Sequence, residues 1–446
     1  MSSADPSTAY LDHLVAETER RTRQGPATGA GETSGAEHAV GAPDAAVHAV
    51  DHAAQALEAD LADIVRTLHG EPEIAFEEHR SARLLVDVLA RHGISAELGV
   101  HGLPTAFRAE IGHGRPAIVI CAEYDALPGI GHACGHNVIA AASVGAFLAL
   151  HRAWAEARPE GTVVLLGTPA EEGRSGKEIL ARAGAFDDVD AAIMAHPYGL
   201  DVADQVWLGR RLLTWTFTGR PAHASAQPYM GRNALDAASL AYQGIGLLRQ
   251  QIPPIDRIHA TIVEGGTSPN IVPERAVVRL YARSKYPDTL RDLSRRLDDV
   301  ARGAALMTGT EVEIDWDDGA LPSLPVRTND TLTSRWVAAQ HRRGRRPLPA
   351  GVLSETLAAS TDFGNVSYRV PGIHPLIQVA EPDVALHTAE FAAAAGSPRA
   401  LEAAVDGAAG LALTALDYLH DAALREAVAS EFSEQGGAID VPGYFD

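Results

Sequence analysis

Cysteine is almost missing from this 446-residue chain: only Cys121 and Cys134 occur. Two cysteines cannot build the disulfide lattice of a small secreted domain, and they suit a reducing compartment. Basic residues are also few. Against 58 Asp and Glu stand 37 Lys and Arg, a formal net charge of -21. A chain of that sign repels polyphosphate, which argues against a nucleic-acid partner. The short basic run Arg342, Arg343, Arg345 and Arg346 reads as a solvated loop or helix end. Long apolar runs are lacking too. The longest, Val138 to Leu150, is too short and too rich in alanine to span a bilayer. The N-terminus, MSSADPSTAYLDHLVAETERRTR, has no basic stretch followed by an apolar one, so no secretory signal is expected. The expectation is a cytoplasmic protein with no membrane partner.

Several catalytic signatures are absent as well. There is no G-x-S-x-G elbow for a serine nucleophile and no H-x-E with P-C-x-x-C for a zinc deaminase. The glycines of "GIGHACG" match a dinucleotide fingerprint poorly, because histidines interrupt the turn.

What is there divides into segments. The length implies two domains. Residues 24–50 are rich in Ala and Gly and read as part of a flexible leader over residues 1–50. Helical spacing begins near Ala53 with Leu57, Leu61, Ile64, Val65 and Leu68, and a second helix follows at about residues 78–92. Buried strands are expected at Pro116 to Tyr124, Gly161 to Ala170 and Ala191 to Pro197, with a helix from Val138 to Ala155 that Asn137 can cap. Alternating strands and helices predict a mostly parallel α/β sheet over residues 51–207. Near Trp207 the pattern changes to strand-helix-strand-strand-helix-strand, a small α+β (ferredoxin-like) domain at 208–325, inserted into the first. Residues 326–446 return to the α/β domain, with a strand in "HPLIQVA" and an Ala-rich helix, Ala400 to Leu419.

In an open α/β sheet, ligands bind beyond the carboxyl ends of the strands. Polar residues follow each expected strand: Asp125, His132, Cys134 and His136 after the first, Glu171 and Glu172 after the second, His196 after the third, and His387 late in the chain. Thiolate, imidazole and carboxylate suit Zn²⁺ or Mn²⁺. Gly135 between Cys134 and His136 lets both donors turn to one ion. Adjacent carboxylates allow one to bind metal while its neighbour holds a proton. Taken singly, each residue has a plainer reading as a buried thiol, a surface acidic pair or a loop histidine. Taken as a set, they point to metal-assisted hydrolysis.

The stretches "AEYDALPGIGHACGHNVIAA", "GTPAEEGRSGK", "MAHP", "GRPAHAS", "GGTSPNIVPE" and "STDFGNVSYRVPGIHPLI" resemble, in order and spacing, the M20 family of metallopeptidases. They are most similar to its amidohydrolase and dipeptidase branch. The resemblance covers about residues 53–425. It implies a two-metal catalytic domain with Zn²⁺ or Mn²⁺ held by Cys134, His136, Glu172, His196 and His387. It implies Glu171 as general base, Asp125 as the acid group behind the ligands, and an inserted lid domain through which the chain forms a homodimer. Within that lid it implies that His223 stabilises the oxyanion and that Asn270 and Arg283 hold a substrate carboxylate. The activity implied is cleavage of the amide bond of a small N-acyl amino acid or dipeptide. The contrasting reading is an inactive dimeric binding or scaffold protein, and the intact residue set speaks against it. The sequence departs from the family at Asn137, where many relatives carry Asp, at Arg174 and Ser175, which replace glycines, and in the leader, which has no counterpart.

Overall fold

The computed structural model describes residues 8–24 and 40–445. Its strands, in chain order, are β1 (Ala96–Leu98), β2 (Phe107–His113), β3 (Ala117–Ala122), β4 (Gly161–Gly167), β5 (Ala191–Ile193), β6 (His196–Tyr198), β7 (Gly209–Thr218), β8 (Arg257–Glu264), β9 (Arg275–Ser284), β10 (Glu311–Trp316), β11 (Gly372–Ile373) and β12 (Leu376–Gln378). A central sheet runs β1-β2-β4-β3-β5-β11, a second runs β10-β7-β9-β8, and β12 pairs with β6 alone.

The central sheet is parallel where it is most buried. All residues of β3 are buried, and β3 pairs in parallel with β4 (Ile118 opposite Val163) and with β5 (Val119 opposite Ala192). Apolar, β-branched runs of this kind need cover on both faces. The edge formed by β1 and β2 is antiparallel. Helix His136–Ala157 links β3 to β4 and packs closely on helix Pro398–His420. Gly145 marks the approach, since a Cβ there would lie 2.8 Å from the Ala408 methyl and from Leu61. The apolar run Val138 to Leu150 extends into a helix of 22 residues that is long and apolar enough to cross a membrane by length and composition alone. It is apolar all round because most of it is buried inside the core.

The leader needs correction. Ala9–Gln24 is helical, and Asp44–Gln55 is a helix that buries Ala46, Val47, Val50, Ala53 and Ala54. It packs on helices His136–Ala157 and Pro398–His420. Small side chains suffice there because the facing helices are rich in alanine, so the composition of a linker serves a core. Residues 1–7 and 25–39 of that leader lie outside the described residues. The basic run is not merely solvated either. Arg343 Nε and Arg345 Nε donate to the two carboxylate oxygens of Asp406 at 2.8 and 2.7 Å, and Arg345 also reaches Asp201 at 2.9 Å.

The chain forms two compact units. The first contains the central sheet and runs to Gln205, then over Arg327–Ala358 and Asn365–Tyr444. The second spans Val206–Val326 and adds Ala359–Gly364 and Phe445, which the sequence pattern assigns to the α/β domain. The additions have physical causes. Leu208 N–H donates to Ala359 O at 2.7 Å, and the Phe445 ring lies 4.3 Å from the Arg211 guanidinium. In this unit β7 and β9 send Leu213, Trp215, Phe217, Val278 and Leu280 into a core shared with helices Ala234–Leu248 and Pro287–Thr308.

Candidate metal centre and lid residues

Segments that follow β3, β4, β5 and β12 bring the chemistry together. Asp125 follows β3. Cys134 precedes helix His136–Ala157, and Gly135 between them has φ 80° and ψ 21°. That left-handed turn aims the Cys134 and His136 side chains at one space, and a Cβ on Gly135 would stand 2.7 Å from Pro197 Cγ. Glu171 and Glu172 follow β4 on a loop of unusual backbone: Ala170, Gly173 and Ser175 all have positive φ. His196 opens β6, and His387, also at positive φ (62°), donates its N–H to Ala133 O at 2.9 Å.

Ligand-type atoms then fall into three overlapping groups: Cys134, His136 and His196; Cys134, Glu172 and His387; His136, Glu171 and Glu172. Within each group the atoms lie within 4.8 Å of one another. His196 Nε2 is 3.5 Å from Cys134 Sγ, and His387 Nε2 is 3.5 Å from Glu172 Oε1. Two second contacts fix the imidazoles. His196 Nδ1 is 2.7 Å from the Pro197 carbonyl oxygen, which only accepts, so Nδ1 carries the proton and Nε2 offers a lone pair. His136 Nδ1 is 3.2 Å from Asp125 Oδ1, which orients that ring the same way. Asp125 Oδ2 accepts the Glu172 N–H at 2.9 Å and so ties the two loops together.

This donor set fits divalent metal. His136 Nε2 and Glu172 Oε1 are buried and have no hydrogen-bond partner, a costly state unless a cation takes their lone pairs. Burial pushes the Cys134 thiol well up, with the Glu172 charge adding to it. Burial alone would lower His136, yet its neighbours Cys134, Asp125 and Glu123 hold it well above its ordinary value. Burial drives His196 well down, helped by His374 and His136. A site that holds so many acceptors together electrostatically is a site for positive charge. Borderline S, N and O ligands match Zn²⁺ or Mn²⁺.

Not every expected residue joins. His132 is buried and burial drives it to about 3, but it enters none of the three ligand groups. Asn137 is no helix cap: Gly135 holds that position, and Asn137 Nδ2 instead donates to Val65 O and Ala395 O at 3.2 and 2.9 Å. Arg174 is exposed while Ser175 is buried.

In the second unit, His223 and Asn270 lie on adjoining segments. His223 bridges to Ile271, and Ala224 N–H donates to Asn270 O at 3.0 Å. His223 is exposed, and its Nδ1 accepts the Ala226 N–H at 3.2 Å, which leaves Nε2 outward. Arg283 has a different neighbourhood on β9. It stands opposite Arg210 and Arg257, and its guanidinium is 5.0 Å from the Tyr281 ring.

Sequence reasoning missed three groups near the centre. Lys177, fully buried, pairs with Glu123, whose other oxygen is 3.4 Å from His136 Nε2. The His374 ring is 5.6 Å from that of His196. All three stand inside the motifs quoted above, Glu123 and His374 just after β3 and β11 and Lys177 in helix Gly176–Arg182, and a titratable residue beside an apolar run is the signal that was available.

Known proteins resemble this chain in sequence and in fold. The family described as Peptidase family M20/M25/M40 matches residues 119–406. The Xaa-Arg dipeptidase of Mus musculus is 39% identical over 399 residues, covering 87% of this chain and 91% of the relative. A p-aminobenzoyl-glutamate hydrolase chain of Escherichia coli K12 is 31% identical, covering 86% of this chain and 94% of the relative. Among solved structures, an aminobenzoyl-glutamate utilization protein from Klebsiella pneumoniae aligns with a TM-score of 0.62 at 20% identity, over 82% of this chain and 98% of its own. A Bacillus subtilis protein described as a dinuclear metal binding peptidase from the M20 family aligns at TM-score 0.62 and 22% identity, over 81% of this chain and 99% of its own.

Proposed function

The chain belongs to peptidase family M20/M25/M40 and is a hydrolase of carbon–nitrogen bonds, and from that premise we propose that it cleaves the amide bond of a small N-acyl amino acid or dipeptide in a two-metal site. The observation that carries the reading is the overlap of three ligand groups on Cys134, His136 and Glu172. Cys134, His136, Glu172, His196 and His387 would hold the ions. When bound, a pair of divalent cations would supply Lewis acidity to the attacking water and to the scissile carbonyl.

The protein's own groups do the rest. Asp125 accepts a hydrogen bond from the His136 Nδ1–H and keeps Nε2 pointed inward. Glu171, with Oε2 4.0 Å from His136 Nε2, takes a proton from the water at its carboxylate and returns it to the departing amine nitrogen. His223, exposed with Nε2 outward, donates to the oxyanion formed in a partner protomer. Asn270, beside His223, receives the carboxylate of the substrate, and Arg283, at the far end of β9, would join it only from the other protomer. Dimerisation through the inserted unit is supported by its edge strand β8, which exposes Ile262 and Val263, and by exposed Leu306 and Met307. Cytoplasmic location is supported by Cys121 and Cys134, which form no disulfide.

The testing experiment is a hydrolysis screen of the purified protein loaded with Zn²⁺ or Mn²⁺. It covers dipeptides ending in Arg, Lys, Glu and Phe, p-aminobenzoyl-glutamate, and N-acetyl amino acids. The expected result is cleavage of at least one class, lost on dialysis against a chelator and restored by metal. Full activity of the metal-free protein would refute the reading. Metal binding without cleavage of any substrate would favour a scaffold instead.

A further inference from the structure

Glu78 is a carboxylate outside the candidate metal centre, with 0% of its surface exposed. Its Oε1 accepts two backbone N–H groups, from Phe76 and from Ala170, each at 2.9 Å. Its Oε2 accepts the Thr105 hydroxyl at 3.0 Å. Both backbone donors belong to residues in the left-handed region, Phe76 at φ 66° and Ala170 at φ 61°. Left-handed backbone is unfavourable for residues with a Cβ and persists only where its surroundings enforce it. Ala170 immediately precedes Glu171.

The same segment grips the other catalytic loop. Ala126 N–H donates to Glu73 O at 2.8 Å, and Ile74 bridges to Ala126, next to Asp125. Residues 73–78 therefore hold the backbone just after Asp125 and just before Glu171. Burying a carboxylate to do this is costly. Burial, and then the Asp125 charge, raise its pKa to about 7. An apolar side chain would fill the space but leave the Ala170 N–H unsatisfied.

We propose that Glu78 is a positioning residue for hydrolysis: by accepting the Ala170 N–H it sets the backbone that presents the Glu171 carboxylate for proton transfer. This rests on Glu171 being the general base. What Glu78 supplies to the Glu171 loop is reach to the Ala170 N–H. Gln keeps that reach without charge, whereas Asp keeps the charge and is one methylene too short.

The test compares Glu78→Gln, Glu78→Asp and Glu78→Ala in the metal-loaded enzyme, with p-aminobenzoyl-glutamate or alanyl-arginine as substrate, whichever is cleaved. In Glu78→Ala and Glu78→Asp, kcat should fall about 100-fold, the scale of a small misplacement of a reacting group. KM and metal content should stay near wild type, and Glu78→Gln should keep kcat within a few-fold. Unchanged kcat in Glu78→Asp overturns the proposal, and so does a Gln variant less active than the Asp variant, since charge would then matter more than reach. Glu78→Asp and Glu78→Gln carry the test if Glu78→Ala does not fold. Glu171→Gln is assayed alongside: if it is active, the base assignment itself fails, whereas an inactive Glu171→Gln beside a fully active Glu78→Asp refutes only the positioning role.

Discussion

Nδ1 of His136 and Oδ1 of Asp125 stand 3.2 Å apart, with both side chains buried. A carboxylate behind an imidazole fixes the tautomer and raises the basicity of the opposite nitrogen. Asp125→Asn should therefore weaken metal binding about 10- to 100-fold. Competition against a chromogenic chelator at neutral pH measures it, and unchanged affinity would remove Asp125 from this role.

Glu171→Gln keeps the size of the side chain and removes its ability to take a proton. The expected outcome is a fall in kcat of about 10²- to 10⁴-fold. Metal stoichiometry, read by elemental analysis, should stay as in the wild type. A variant that loses metal in parallel would instead make Glu171 a ligand.

Gly135 cannot be replaced cheaply. Its φ of 80° and the 2.7 Å approach of a Cβ to Pro197 Cγ add strain to crowding. Gly135→Ala should destabilise the metal-free protein by about 1–3 kcal/mol and lower its affinity for metal. Urea unfolding and metal titration report the two effects separately. Wild-type values in both would show that the turn is not what aims Cys134 and His136.

Metal itself should stabilise the fold, because the unfolded chain does not hold the ligands together. At a free ion concentration of 100 times Kd the gain is about 2.7 kcal/mol. The thermal midpoint should drop on chelation and return with Zn²⁺ or Mn²⁺. An unchanged midpoint would argue against a metal site of useful affinity.

Stability should also depend on pH through Glu78. Its carboxyl is raised to about 7, chiefly by burial, while in the unfolded chain it has the ordinary value of about 4.3. Between those values the folded protein holds the extra proton. Stability from this group is thus full below about pH 4.3 and is lost as pH rises towards about 7, by at most about 1.4 kcal/mol per pH unit. Urea unfolding from pH 5 to 8 should show a steeper decline in the wild type than in Glu78→Gln. Parallel curves would refute the shift.

The sequence displayed some of this plainly and hid the rest. Strands β3 and β4 and the helix between them were legible because unbroken apolar runs have few places to go but a core. Cys134, His136, Glu172, His196 and His387 stood out as rare donor types placed after strands, and they converge in the structure. The helix Asp44–Gln55 was hidden by its composition, since Ala46, Ala53 and Ala54 bury a face without any large side chain. Asn137 looked like a cap because its partners, Val65 and Ala395, are remote in sequence. Glu78 is hard to read locally: in "EIAFEEHRS" it reads as a solvated helix start, and the Ala170 N–H it satisfies is 92 residues away.

The candidate ligands differ in how firmly they are rooted. His136 opens a helix buried on nearly every side, whereas His387 is 52% exposed and stands on a left-handed joint between loops. Amide hydrogens of His136–Ala157 should exchange among the last in the chain, near the rate of global opening, while those around His387 should exchange early. Around the candidate centre, the His387 side is therefore the one expected to open within the folded protein, while the Cys134–His136 side should open only with the core.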